Sequence, residues 1–216
     1  MTKKFLMKVC LVSFIGITSF GVVSQVSAQP DFGGLWFPAS FDPNAPRLQP
    51  GSRELPFNEA AQQLADEYAA SFDLSDAPGG FCVKPGLPRS VWGAPFPVEI
   101  VQTEGFINML WEGYFQYRKI YLEGHPRPEP ILNTRMGYSV GHFEGDTLVI
   151  QTSYLREDPY MRRVPNTDDA TVVERWNMIS ATNDAGEEVK YMTNEMFLPD
   201  SKLYTEPVRI TGTLRF

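Results

Sequence analysis

Two cysteines and two histidines are all the chain carries in 216 residues. Cys10 lies in an N-terminal stretch that reads as an export signal, so the mature chain is expected to keep only Cys82. One thiol allows no internal disulfide even in an oxidising compartment, and the fold must rest on its core. A lone cysteine reads first as a small core hydrophobe, and no local base marks Cys82 as a nucleophile. His125 and His142 match no zinc-type ligand spacing, so neither a metal nor a cofactor is expected. Positive charge is also short, with 19 Lys and Arg against 26 Asp and Glu. An acidic surface repels phosphate backbones and anionic headgroups, which argues against nucleic acid as a partner. No apolar run beyond residue 23 is long enough to span a bilayer as a helix, so membrane insertion is not expected.

The first thirty residues are MTKKFLMKVCLVSFIGITSFGVVSQVSAQP. Lys3, Lys4 and Lys8 precede an apolar run from Val9 to Val23, and Val26-Ser27-Ala28 offers small residues for a signal peptidase. Residues 1–28 are therefore expected to be a secretory signal peptide, leaving residues 29–216 as a single periplasmic or secreted domain. A membrane anchor is the competing reading, but the run is short and broken by Ser and Gly. Cys10 precedes the run rather than ending it, which argues against a lipoprotein.

Prolines crowd residues 30–56, which excludes regular helix there and leaves room only for a short strand. PFNEAAQQLADEYAASFD, residues 56–73, predicts the one helix: Asn58 can cap it, and Ala61, Leu64, Ala65, Tyr68 and Phe72 recur at helical spacing. Residues 74–97 are dense in Pro and Gly and predict a long irregular segment, packed as a lid over one end of the fold. From residue 98 onward the texture is that of short strands separated by turns: 98–103, two strands in 106–124, a hairpin in 137–155, then 171–180, 187–198 and 208–216. In GYSVGHFEGDTLVIQT, residues 137–152, Glu144 and Asp146 flank Gly145 between two apolar runs. That pattern predicts a hairpin turn rather than an acid/base pair or cation site.

The last strand puts Val208, Ile210, Leu214 and Phe216 on one face and Arg209, Thr211, Thr213 and Arg215 on the other. A strand at the C-terminus needs a partner, and DFGGLWFP, residues 31–38, can supply it and close a barrel. Gly34-Leu35-Trp36 is a G-x-W, which resembles the first-strand signature of lipocalin-like (calycin) barrels. The resemblance implies a basic residue of the last strand, Arg209 or Arg215, stacked over Trp36. The expectation is an all-β, lipocalin-like antiparallel barrel of about eight strands with one helix, a β-sandwich being the alternative.

FCVKPGLPRS, PFPVEIVQT, WEGYFQYRKIYLEG, GYSVGHFEGDTLVIQT and VVERW together resemble a family of exported bacterial proteins with a G-x-S-x-G segment followed by W-E-G-D-T-L-V-V-D-T. The likeness covers residues 81–176. The chain departs from that pattern at Phe143 (for Trp), Gln151 (for Asp) and Asn166 (for a His before the VVER strand). If that His is catalytic in the family, the resemblance implies an activity lost or altered here. The G-x-S-x-G also resembles a nucleophile elbow, but a strand follows where a helix is required, which argues against a serine hydrolase.

Alternation marks charged residues for an inward face, where they cost several kcal/mol unless paired. Glu174 shares parity with Val172 and Trp176; Glu112 with Phe106 and Leu110; Arg118 with Ile120; Glu99 with Val101. Glu112 and Arg118 are expected to face each other across the hairpin at Gly113. Glu112, Arg118 and Glu174 are thus the candidate catalytic set, a desolvated carboxyl moving protons beside an arginine that holds an anion. Each could equally be a structural ion pair or a rim charge. The ligand-lining candidates are Trp36, Arg89, Trp92, Glu99, Trp111, Tyr117, Tyr121, His142 and Trp176. A mouth rich in such rings suits a small apolar or aromatic molecule. Two function classes result: a binding protein for such a molecule in the barrel cavity, or a cofactor-free enzyme (isomerase, hydratase or lyase) transferring protons on it. A structural module of the envelope is a third reading. The sequence sets no oligomeric state.

Overall fold

The computed structural model describes residues 29–39, 42–46, 51, 54–91, 96–124, 126, 129, 131–161 and 163–216. Residues 1–28, where a signal peptide is expected, and Trp92 and His125 lie outside the described residues. The chain folds into a closed barrel of nine strands in sequential order. These are β1 (Gly34–Pro38), β2 (Val98–Gln102), β3 (Phe106–Trp111), β4 (Gln116–Leu122), β5 (Tyr138–Glu144), β6 (Thr147–Ser153), β7 (Val172–Thr182), β8 (Glu188–Leu198) and β9 (Val208–Arg215). The lipocalin-like all-β architecture is as the strand pattern predicts. Nine strands appear rather than about eight because five-residue β1 is a full member of the wall. No helix among the described residues is long and apolar enough to cross a membrane.

One joint departs from an all-antiparallel meander. β4 and β5 run parallel, with Ile120 opposite Ser139 and Leu122 opposite Gly141. A parallel pair cannot be joined by a tight turn, and residues 123–137 carry the chain back. Gly141 is small for a reason: a Cβ there would lie 2.9 Å from Ile120 Cγ2 and 3.4 Å from Leu148 Cδ1.

Closure falls to β1. It pairs with β2 at Gly34, Leu35 and Trp36 and with β9 only at Phe37 and Pro38. The G-x-W earns its residues locally. Trp36 is buried, donates its indole N–H to Phe32 O at 3.0 Å, and takes the ring of Phe216 edge-on at 5.1 Å. A Cβ on Gly34 would fall 2.3 Å from that same ring, and Gly34 sits at φ +133°. The expected basic cover of Trp36 is therefore replaced by Phe216, while Arg209 pairs with Glu195 at 2.9 Å and Arg215 with Asp42 at 3.3 Å. Phe216 is half exposed, so it shields Trp36 beneath it while its own outer face meets solvent.

The interior is packed along its length. Trp36, Ile100, Ile107, Met109, Ile120, Leu148, Ile150, Trp176 and Met192 form one cluster, and Leu87, Leu155, Val172, Met196, Leu198, Tyr204 and Val208 a second. Leu87 belongs to the irregular segment, and neighbouring Val91 touches both clusters, so this stretch plugs the barrel rather than lying loosely over it. Helix α1 (Glu59–Ser71) lies outside, capped as predicted by Asn58, whose side-chain oxygen accepts from Ala61 N at 2.9 Å. It is anchored by stacking of Phe57 on Tyr204 and by Tyr68 and Phe72 against Tyr160.

Replacing Gly141 by Ala should force Ile120 and Leu148 apart and cost about 1–3 kcal/mol. Urea unfolding at constant m-value measures it, and an unchanged midpoint would contradict the close approach of β4 and β5.

Candidate functional site

The candidate catalytic residues separate. β3 and β4 pair so that Arg118 faces Met109 and points inward, whereas Leu110 faces Tyr117 on the outer wall. Glu112 follows β3 on the outer side and is exposed. The expected contact between Glu112 and Arg118 is absent, because the inward face of β3 is Ile107, Met109 and Trp111 rather than Phe106 and Leu110. The outward face carries Phe106, Asn108 and Leu110, so Asn108 is its one polar mark between two large apolar residues.

Arg118 and Glu174 do meet, deep in the barrel, at 2% and 0% exposure. Arg118 donates to both carboxylate oxygens of Glu174, from Nη2 at 2.5 Å and from Nη1 at 3.1 Å. Its other hydrogen bonds go to hydroxyls: Nε donates to Ser139 Oγ at 3.0 Å and Nη2 to Thr152 Oγ1 at 2.8 Å. Those hydroxyls lie 2.9 Å apart. Glu174 also accepts from Trp176 Nε1 at 2.9 Å and Asn194 Nδ2 at 3.4 Å. The network spans β4, β5, β6, β7 and β8. A charge-assisted, two-pronged pair with this many partners is compensated for burial. It is also sealed: neighbours Met109, Ile150, Val172 and Met196 are wholly buried, leaving no water-sized space against them. Among the described residues the pair is shielded from solvent. Ser139, the serine of G-x-S-x-G, is a ligand of the buried guanidinium on a strand, not an exposed nucleophile.

Trp36 and Trp176 likewise belong to the core. His142 faces outward, 3.3 Å from Glu144, and Glu144 also receives Arg175 at 2.8 Å. The hydrogen bond from Arg175, followed by that from His142, holds the Glu144 carboxyl below its ordinary range. Gly145 takes φ +61° between them, so the Glu-Gly-Asp stretch is the hairpin turn it was expected to be. Arg89, nearly buried in the plug, pairs with Asp158 at 3.4 Å and lies over the ring of Tyr160. Tyr121 packs on Tyr138 at 5.3 Å on the outer wall. Cys82 is exposed rather than buried, at φ 57°. Among the described residues no group of three or more His, Cys, Asp or Glu is placed to hold a metal ion.

Four of the expected site residues do come together at one groove, three exposed on the outer wall and Trp111 largely buried behind them. Glu99, Trp111, Glu112 and Tyr117 line a groove of about 430 Å³ with Leu35, Pro97, Leu110, Phe115 and Gln116. Register builds it: Leu35 lies opposite Glu99, Glu99 opposite Leu110, and Leu110 opposite Tyr117, one row across four strands. The turn Gly113–Phe115 forms one rim, with Tyr114 at φ 60° and Phe115 at φ 49°. Left-handed backbone at bulky residues costs of order 1–3 kcal/mol each. The strain holds Phe115 out at 88% exposure. The Tyr117 hydroxyl donates to Asn108 at 2.6 Å, and burial, then Tyr121, raises its pKa. Sequence reasoning missed Leu35, Leu110 and Phe115, although their apolar side chains at outward positions were a signal. A second hollow of about 600 Å³ lies at the β1–β9 seam, but its charges, Asp42 and Arg215, already pair with each other.

Fold and groove together define a closed, plugged β-barrel with an apolar cleft on its outer wall. Comparison with protein-family models, with curated proteins and with solved structures finds no match to the chain.

Glu174→Gln should leave a buried, half-paired guanidinium and destabilise by about 3–5 kcal/mol. Arg118→Met combined with Glu174→Gln should cost less than the two single changes summed, which a double-mutant cycle in urea reads directly. On the surface, Arg175→Gln should let Glu144 titrate nearer 4.5 by carboxyl NMR. The sign follows from the depressed value: the pair adds stability above the ordinary carboxylate range and loses it as pH falls through the folded-state pKa.

Proposed function

We propose that the chain is an exported protein that binds a small apolar or aromatic molecule, and that the groove between β1 and β4 is its seat. The observation that carries this reading is a concave strip of Leu35, Leu110, Phe115 and Tyr117, left uncovered and rimmed by a strained aromatic turn. Its volume falls in the range of small-molecule sites, and apolar walls with few polar groups are their usual composition. Folding gains nothing from holding Phe115 in solvent, so strain at this turn supports a role in binding. Export is supported by the N-terminal sequence, a basic start followed by an apolar run and a small-residue site.

Proton transfer by Glu112, Arg118 and Glu174 acting together has less support, since Glu112 faces solvent and the other two face each other inside. A binding protein needs only the groove.

Titration with a neutral apolar fluorophore such as N-phenyl-1-naphthylamine tests the reading. Saturable binding should weaken about tenfold or more, ~1.4 kcal/mol, in Leu110→Asp. Leu132→Asp, also exposed but outside the groove, should bind as the parent does. Equal binding by both variants would remove the groove as the site.

A further inference from the structure

The groove has a charge signature as well as a shape. Its two ionisable carboxylates, Glu99 and Glu112, make no side-chain hydrogen bond or ion pair among the described residues, and no Lys, Arg or His lines it. The acids elsewhere that sit beside a base are engaged by it: Glu144 by Arg175, Glu195 by Arg209, Asp42 by Arg215 and Asp158 by Arg89. Lys119, on the same outer face of β4 as Tyr117, is turned onto the rings of Phe106 at 3.9 Å and Tyr121 at 5.1 Å. Glu99 lies opposite Leu110, and Glu112 N bonds to Pro97 O, so the two carboxylates are diagonal neighbours across the β2–β3 ladder. That places their backbones about 7 Å apart, close enough for one cationic group to feel both.

Resting on the groove as the binding site, we infer that it selects organic cations: molecules with an apolar or aromatic body and an amine or quaternary ammonium group. Three features act together. Leu35, Leu110 and Pro97 bury the body. The exposed rings of Phe115 and Tyr117 offer faces to a cation. Glu99 and Glu112 supply the counter-charge that a neutral ligand would leave unused and an anion would meet as repulsion. The net charge of −7 adds a long-range field of the same sign preference.

Calorimetric titration with three probes sharing one body tests this: 2-naphthylmethyl-trimethylammonium, 2-naphthylmethanol and 2-naphthoate. The cation should bind about tenfold tighter than the alcohol at low salt, and the carboxylate weakest. The gap should narrow in 0.5 M NaCl, where exposed charges are screened. In Glu99→Gln/Glu112→Gln, whose thermal unfolding should match the parent because both side chains are exposed, the cation and alcohol should bind alike. Equal affinity for cation and alcohol in the parent protein overturns the inference and leaves the groove standing as an apolar site. Absence of binding by all three overturns both.

Discussion

A guanidinium inside a barrel must be answered there. Arg118 is wholly enclosed, and its charge would cost several kcal/mol if left to the apolar interior. Its compensation recruits one side chain from each of the next four strands: Ser139 from β5, Thr152 from β6, Glu174 from β7 and Asn194 from β8, the last acting through the carboxylate. Much of the local sequence follows. Residue 139 must be small and hydroxylic, residue 152 must offer an acceptor, and residue 176 is a tryptophan whose N–H completes the carboxylate. The network also crosses the parallel joint between β4 and β5, where the register covers only three residue pairs. A two-pronged ion pair has a fixed geometry, so it sets the rotation of β4 against β7 in a way that apolar packing would leave looser.

The second constraint is closure. β1 meets β9 at two positions only, and the ring of Phe216 folds over Trp36 where a Cβ on residue 34 would otherwise stand. The N-terminal strand and the C-terminal residue thus lock each other. At the other end, Leu87 and Val91 enter the core from the Pro/Gly-rich segment, and Gln116 donates its amide to Pro85 O. A barrel held by a buried ion pair, an aromatic latch and a plug has little spare interior at these levels.

Legibility in the sequence followed the contrast between faces. β9 alternates Val208, Ile210 against Arg209, Thr211, and its inward side was readable. Glu174 on β7 was placed correctly for the same reason, flanked at even spacing by Val172 and Trp176. The helix and its Asn58 cap were readable from local chemistry. β3 was harder to read because Phe106 and Leu110 are as apolar as Ile107 and Met109, which leaves Asn108 as the one polar mark of the side destined for solvent. The parallel β4–β5 joint was equally hidden, since nothing in the composition of residues 123–137 distinguishes a return crossover from a long turn. Those two blind spots explain why Arg118 and Glu174 were found while Glu112 was assigned to their company.

The same ambiguity that hid the face of β3 is what makes it useful. A strand with one polar side contributes to a core and nothing else. β3 contributes Ile107, Met109 and Trp111 inward and still spends Leu110 outward, in line with Leu35 and Tyr117. Isolated apolar residues on a sheet exterior need no explanation, but a row in register across four strands with a strained aromatic turn above it is a surface built to be covered. Around Arg118 and Glu174 the described side chains satisfy one another, and the groove on the wall supplies the open surface. The chemistry available there is apolar area, π faces and two free carboxylates, and that combination rewards a ligand that brings both a body to bury and a positive charge.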